Sequence, residues 1–299
     1  MLENLEYWFV VAGARMLGRL PRRIARLFST LLAICVYRCF GRLRRVGEQN
    51  LQMALPALSA STRQQFLRAE YRHLGYQLVE FCRMSRYTPE NTRNWLYTEG
   101  LENYLAAQQR GKGVLILTGH LGAWELSSFY HSMMGHPMGM VIRRLDNRRL
   151  DAYVNRIRCL HGNYVLHKDD FGRGLLTAMR NGDTVGILMD TNMTPPQGAF
   201  VPFFGIEACT ATGLAHVARK TGAAVVPGFM TWEPGAHRCT LRFGREIEIP
   251  HTNDAAADIL EGTERCTREI EIWIRRYPDQ WLWIHRRWKT RPPGQPRLY

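Results

Sequence analysis

The chain has 299 residues, 45% hydrophobic and 22% charged, which is the balance of a folded globular protein and argues against a disordered chain or a fibre. Its formal charge is +14, concentrated at the two ends. Residues 1–47 carry nine arginines against Glu3 and Glu6, a net of +7; residues 273–299 net +6, and the long middle only +1. Such ends suit an anionic partner, either a nucleic acid or a membrane surface. Only four of the 40 basic residues are lysines, and arginine is the better fork for phosphate, although genomic base composition explains the bias equally well. Seven cysteines at scattered positions contain no CxxC pair, which argues against a disulfide framework or a zinc site and for a reducing, cytosol-facing body.

In chain order, residues 5–17 and 24–40 are apolar and aromatic, interrupted by Arg15 and the cluster Arg19, Arg22, Arg23 and Arg26. The longest uncharged run, Leu27 to Tyr37, is eleven residues, short of the ~20 needed to span a bilayer. No small-residue cleavage site follows it. With Arg26 and Arg38 snorkelling, 24–40 is marginal as a span, and the expectation is a membrane anchor over 1–47 that enters or lies in one leaflet, with basic flanks on the cytoplasmic side. A buried helix plus an amphipathic one is the alternative.

A long helix is expected over 61–86, capped by Ser59 or Ser61. Beyond residue 95 the pattern alternates. Buried strands are expected at 113–118, 138–142, 184–189, 224–230 and 239–243. Helices are expected near 101–110, 122–135, 147–160, 170–181, 211–221 and 255–276. This is the signature of an α/β domain, a mixed sheet flanked by helices, occupying 48–299 as one unit.

The chemistry-bearing segment is GVLILTGHLGAWELSSFY, 113–130. A buried strand runs into Gly119 and His120, and a helix containing Glu125 starts near Gly122. Ligands of open α/β sheets bind at the carboxyl ends of strands, where His120 stands. Across a strand-to-helix turn Glu125 can fold back onto the imidazole and fix its tautomer, giving a His–Glu general-base dyad. Asp190 ends another strand-like run and should reach the same rim, to orient a substrate, pair with an arginine or cap a turn. No GxSxG, HExxH, Walker A or GxGxxG occurs. The C-terminal stretch mixes Trp281, Trp283 and Trp288 with Arg286, Arg287, Lys289 and Arg291. It reads as a bilayer interface in company with the basic N-terminus, with buried tryptophans as the alternative.

The segment GHLGAWE resembles the H-x4-E signature of the bacterial lipid A biosynthesis (late) acyltransferases, within the lysophospholipid acyltransferase superfamily. Further blocks agree in order: VIRRLDNRRLDAYVNRIR (141–158), GILMD (186–190), GAFVPFFG (198–205), TATGLAHVARKTGAAVVPGF (210–229) and PDQWLWIHRRWKTRPPG (278–294). Two departures are Arg144, where proline is common, and Thr191-Asn192 after Asp190, where Gln or His often follows. The resemblance implies an α/β acyltransferase fold with a membrane-bound N-terminal helix. It implies transfer of a fatty acyl chain from a thioester, of acyl carrier protein or coenzyme A, to a hydroxyl of a lipid A precursor or related glycolipid, at the cytoplasmic face of the inner membrane. His120 would take the acceptor proton and Glu125 would hold it. No metal, cofactor or covalent intermediate is required. Oxyanion or acceptor-phosphate contacts fall to Arg143, Arg156 and Arg158, with a solvated basic face as the alternative. Phe200, Phe203 and Phe204 border an acyl channel or simply pack the core, and Thr210 and Thr212 begin a helix. Anionic lipid is the expected partner of the basic ends and nucleic acid is not. A catalytically silent glycolipid-binding protein of the same fold is the competing function.

Overall fold

A computed structural model describes residues 2–167 and 171–299. Four helices come first: α1 (Leu2–Arg19), α2 (Arg22–Cys39), α3 (Gly41–Ala54) and α4 (Ala60–Arg83). Then follow α5 (Pro89–Thr92), β1 (Leu96–Glu99), α6 (Leu101–Gln109), β2 (Val114–Thr118), α7 (Trp124–Met133), β3 (Gly139–Ile142), α8 (Arg148–Arg158), β4 (Tyr164–His167), α9 (Phe171–Arg180) and β5 (Thr184–Leu188). After β6 (Gly198–Phe203) and β7 (Ile206–Ala211) come α10 (Gly213–Thr221), β8 (Ala224–Trp232), β9 (Cys239–Phe243) and α11 (Ala255–Arg276). The helix expected over 170–181 is α9; residue 170 lies outside the described residues.

Seven strands form one mixed sheet in the order β1-β9-β8-β2-β5-β3-β4. β8, β2, β5, β3 and β4 are mutually parallel, while β9 runs antiparallel to β8 and carries β1 parallel to itself. The central strands are apolar throughout because both faces are covered. Leu115 and Leu117 of β2 enter a core shared with α9, α10 and α11, while Val114 and Ile116 enter the other core, with α6 and α7. Side chains alternate across a strand, so one run of five supplies both layers.

Four strands were not anticipated from the sequence. β1 and β4 are short edge strands. GAFVPFFG and the residues after it form the antiparallel ribbon β6–β7, which is separate from the main sheet. Thr210 therefore lies in a strand, and the helix starts only after Thr212, whose side chain makes no cap bond. Phe203 and Phe204 are buried against Trp281, Trp283 and Trp288, and these three tryptophans are core, not an interface belt.

Ser59 caps α4, accepting from the Thr62 amide at 3.1 Å. The first two helices lie along α4 with backbones close: a Cβ on Gly18 would meet the Cys82 carbonyl at 2.4 Å, and one on Gly75 the Ser29 carbonyl at 2.9 Å. Arg22 and Arg26 of α2 turn inward, while Arg23 and Arg38 stay exposed. The fully buried Glu80 accepts from Arg22 Nε at 2.9 Å and Arg26 Nη2 at 2.6 Å, so Arg26 does not snorkel to a bilayer. An ionised side chain drawn into a folded interior needs such a partner. The opposite surface of α1 and α2 exposes Trp8, Phe9, Met16, Leu27, Phe28, Leu31 and Leu32. No single helix among the described residues is long and apolar enough to cross a membrane. The pair α2 and α3 passes together by composition but bends by 86° between them.

Candidate active site

β2 and β5 are neighbours in parallel register, Thr118 opposite Leu188, and the ladder continues with the Met189 amide donating to the Thr118 carbonyl at 3.0 Å. Two residues beyond each strand end stand His120 and Asp190, brought level by that register. Gly119 lets them close, because a Cβ there would lie 3.0 Å from Asp190 Cγ. The Asp190 carboxylate accepts three N–H groups: His120 Nδ1 at 2.9 Å, the His120 backbone amide at 2.7 Å and the Trp281 indole at 2.7 Å.

This arrangement sets both charges. Burial alone would raise the Asp190 pKa, but the neighbouring imidazole and the three donors pull it down to about 2. Burial alone would lower the His120 pKa, but the charge and hydrogen bond of Asp190, with the charge of Glu125 behind them, bring it above its ordinary value. Nδ1–H is committed to Asp190, so in the neutral ring the lone pair lies on Nε2. The imidazole keeps 24% of its side-chain surface open, and the Trp124 ring meets it edge-on at 5.2 Å between centroids.

The turn carrying His120 is clamped from two sides. Gly122 has φ +64°, and a Cβ on it would stand 2.1 Å from the Met230 carbonyl, so no other residue fits. The Ala123 amide donates to Met230 O, the Gly122 amide to Gln280 O and the Leu282 amide to His120 O. Residues 280–282 thus pair like a strand with the His120 turn, and this places the Trp281 indole on Asp190. Asn50 holds the same segment from α3 through the carbonyls of Trp283 and His285. His285 Nε2 accepts from the Asn192 amide at 3.0 Å, and burial lowers its pKa, consistent with a neutral acceptor.

The carboxylate on His120 is Asp190, not Glu125 as the spacing suggested. Glu125 sits in the first turn of α7 and grips Arg158, the last residue of α8, through both oxygens; the Nε–Oε2 contact is 2.9 Å. The planar guanidinium matches a carboxylate with two bonds at once, and His120 Nδ1 is already taken. Glu125 therefore acts on His120 only through its charge.

Of the three arginines singled out, only Arg158 reaches this neighbourhood. Arg143 follows β3 and so lies on the same sheet edge, but it is exposed and paired at 3.0 Å with Asp146, itself exposed. Arg156 faces solvent on α8, 6.0 Å from the Tyr153 ring.

Two residues near the centre were given other settings by sequence reasoning. Trp281 appeared there as part of an interfacial aromatic cluster. Arg287 appeared as a surface cation, yet it is fully buried, donating to the Cys209 carbonyl at 2.9 Å and to Thr210 Oγ1 and lying 4.9 Å from the Phe203 ring centroid. Burial lowers its pKa to about 10, opposed chiefly by the charge of Asp190, so it stays a cation at neutral pH.

A titratable pair at the carboxyl edge of parallel strands, buried on the acid side and open on the base side, stands where α/β enzymes hold their ligands. The sequence model of the bacterial lipid A biosynthesis acyltransferases matches residues 1–290. The chain belongs to that family and is an acyltransferase. It is similar to the lipid A biosynthesis palmitoleoyltransferase of Escherichia coli, with 29% identity over 98% of this chain and 95% of the relative. The lauroyltransferase of the same organism is 26% identical over 100% and 97% of the two chains, and its myristoyltransferase 24% identical over 98% and 91%. The family removes the ground for a catalytically silent binder or a nucleic-acid enzyme.

Proposed function

We propose that this protein moves a fatty acyl chain from the thioester of acyl carrier protein or coenzyme A to a hydroxyl of a lipid A precursor or a related glycolipid. The observation that carries the reading is the hydrogen bond from His120 Nδ1 to the buried Asp190. His120 Nε2 takes the acceptor's proton as its oxygen attacks the thioester carbonyl. Asp190 stabilises the imidazolium that forms, and the tetrahedral oxyanion collapses with loss of the thiolate. His120 then returns the proton to that sulfur, leaving an ester and a free thiol. The thioester is already activated, so the chain's own nucleophiles form no bond to the acyl group. Glu125 keeps Arg158 beside the base, where the guanidinium's remaining Nη1 is suited to the oxyanion or to an acceptor phosphate.

Residues 1–47 are the docking segment in this reading, at the cytoplasmic face of the inner membrane. The large apolar side chains that α1 and α2 expose support an interfacial seat in one leaflet. His120→Ala should still sediment with vesicles while acyl transfer falls about 10²–10⁴-fold. Transfer within a few-fold of the parent would refute the reading. Extracting lipids from cells with and without the gene, and weighing the difference, identifies acceptor and chain together.

A further inference from the structure

Beside the junction of α1 and α2 is a cavity of about 240 Å³ lined by Arg22, Arg83, Arg86, Tyr87, Asn91 and Trp95. Among the described residues no acidic side chain lines it. Glu80, beneath it, is already shared by Arg22 and Arg26 and takes the Tyr87 hydroxyl on its other oxygen. Arg83 and Arg86 spend one nitrogen each on carbonyls at the end of α1, those of Gly18 and Leu20 for Arg83 and of Gly18 for Arg86. Arg22 stacks on Trp95 at 3.6 Å. Its Nη2 and the Arg83 Nε are buried and have no partner among the described residues. A buried guanidinium nitrogen without an acceptor is costly. The cluster is therefore an unfinished one: three cations, of which Arg22 already meets Glu80 and the His237 carbonyl, with one nitrogen each of Arg22 and Arg83 short of an oxygen.

Resting on the membrane reading above, we infer that this cavity binds the phosphate of an anionic phospholipid headgroup. Three guanidinium forks suit the several oxygens of one phosphate. The location selects a lipid. The cavity adjoins the α1–α2 junction, where Met16 and Ile24 are exposed. Trp95 directly precedes β1, whose first residue is opposite Cys239, which in turn is opposite Trp232 at the carboxyl end of β8. This is the sheet edge that carries His120, three strand positions away, roughly 15 Å. A phosphate held there would seat the apolar helices in the leaflet with the catalytic edge turned to the acceptor.

The test is sedimentation of the full-length protein with phosphatidylcholine vesicles with and without phosphatidylglycerol, a readout that needs no turnover and so stands whether or not His120 is the base. The site variant is Arg83→Gln with Arg86→Gln. The control, Arg42→Gln with Arg45→Gln, removes the same charge from exposed positions outside the cavity. The control should lose roughly fivefold per charge in binding to anionic vesicles. The site variant should lose at least about tenfold more, because directed hydrogen bonds go with the charge. Equal losses would overturn the inference in favour of diffuse attraction. Arg83 also ties down α1, so Arg86→Gln alone and Arg83→Lys provide variants that keep most of those ties; each should still fall below a single control, Arg42→Gln. Titration with inorganic phosphate separates the sources: a rise in Tm of the parent, without preference for anionic vesicles, would mean a free phosphate ligand and overturn the lipid assignment.

Discussion

Replacing Asp190 with asparagine keeps the shape of the side chain and removes its charge, and its consequence follows from three donors. The native carboxylate accepts from Nδ1 of His120 on one oxygen and from the His120 amide and Trp281 indole on the other. An asparagine has one acceptor oxygen and one NH2 group. Facing the NH2 toward the amide and indole would oppose two donors. Facing it toward the imidazole opposes one, and that conflict resolves if Nδ1 gives up its hydrogen. The ring then carries its proton on Nε2 and has no lone pair for the acceptor. The expected loss in kcat is about 10²–10⁴-fold, the full worth of a general base, with little change in KM.

The pH profile carries a second signature. A base must be neutral, so the parent's rate falls as pH drops through a His120 pKa raised above 6.5. In the variant the raising influence of Asp190 is gone and burial remains, so the inflection moves to lower pH. The assay is acyl transfer from a labelled thioester in detergent micelles, followed across pH with thermal unfolding as a fold control. An Asp190→Asn enzyme within a few-fold of the parent, with its inflection unmoved, would refute the reasoning.

Glu125→Gln should reduce activity by less than Asp190→Asn and move the inflection only slightly down, because Glu125 acts on His120 by charge alone; steady-state kinetics of the two variants side by side decide the order. Gly122→Ala should lower Tm by more than about 4 °C, since a left-handed residue with a Cβ costs roughly 1–2 kcal/mol before the 2.1 Å clash with Met230 is counted. Arg287→Met should destabilise by about 1–3 kcal/mol, because Thr210 Oγ1 loses its donor while Cys209 O keeps the Met193 amide, read as a shift in urea midpoint.

The sheet's centre was legible because β2, β5 and β8 are uninterrupted apolar runs bounded by polar turns, and their physics is local. The proposed base was legible for the same reason: a histidine two residues past a buried strand can only stand on the rim. Its partner was legible only in part: Asp190 was expected on the same rim, but not on the imidazole. A motif scan favours residues close in sequence, so Glu125 stood out, while Asp190 owes its place to the pairing of β2 with β5, which no single strand reveals. The same gap explains Arg22 and Arg26, whose acid lies 58 and 54 residues away. Tryptophan interleaved with arginine is ambiguous by nature: both a bilayer seam and a core with an inward cation produce it, and only Arg287 under Phe203 decides. β1 and β4 escaped because four-residue edge strands have too little periodicity to register.

Trp281 lies 91 residues beyond the aspartate it serves. During translation, His120 and Asp190 leave the ribosome well before the indole that helps keep the carboxylate ionised. A nascent or interrupted chain ending after α11 has both His120 and Asp190 but lacks the strap across the His120 turn. The candidate site is therefore completed late in synthesis, after every strand of the seven-stranded sheet has been made.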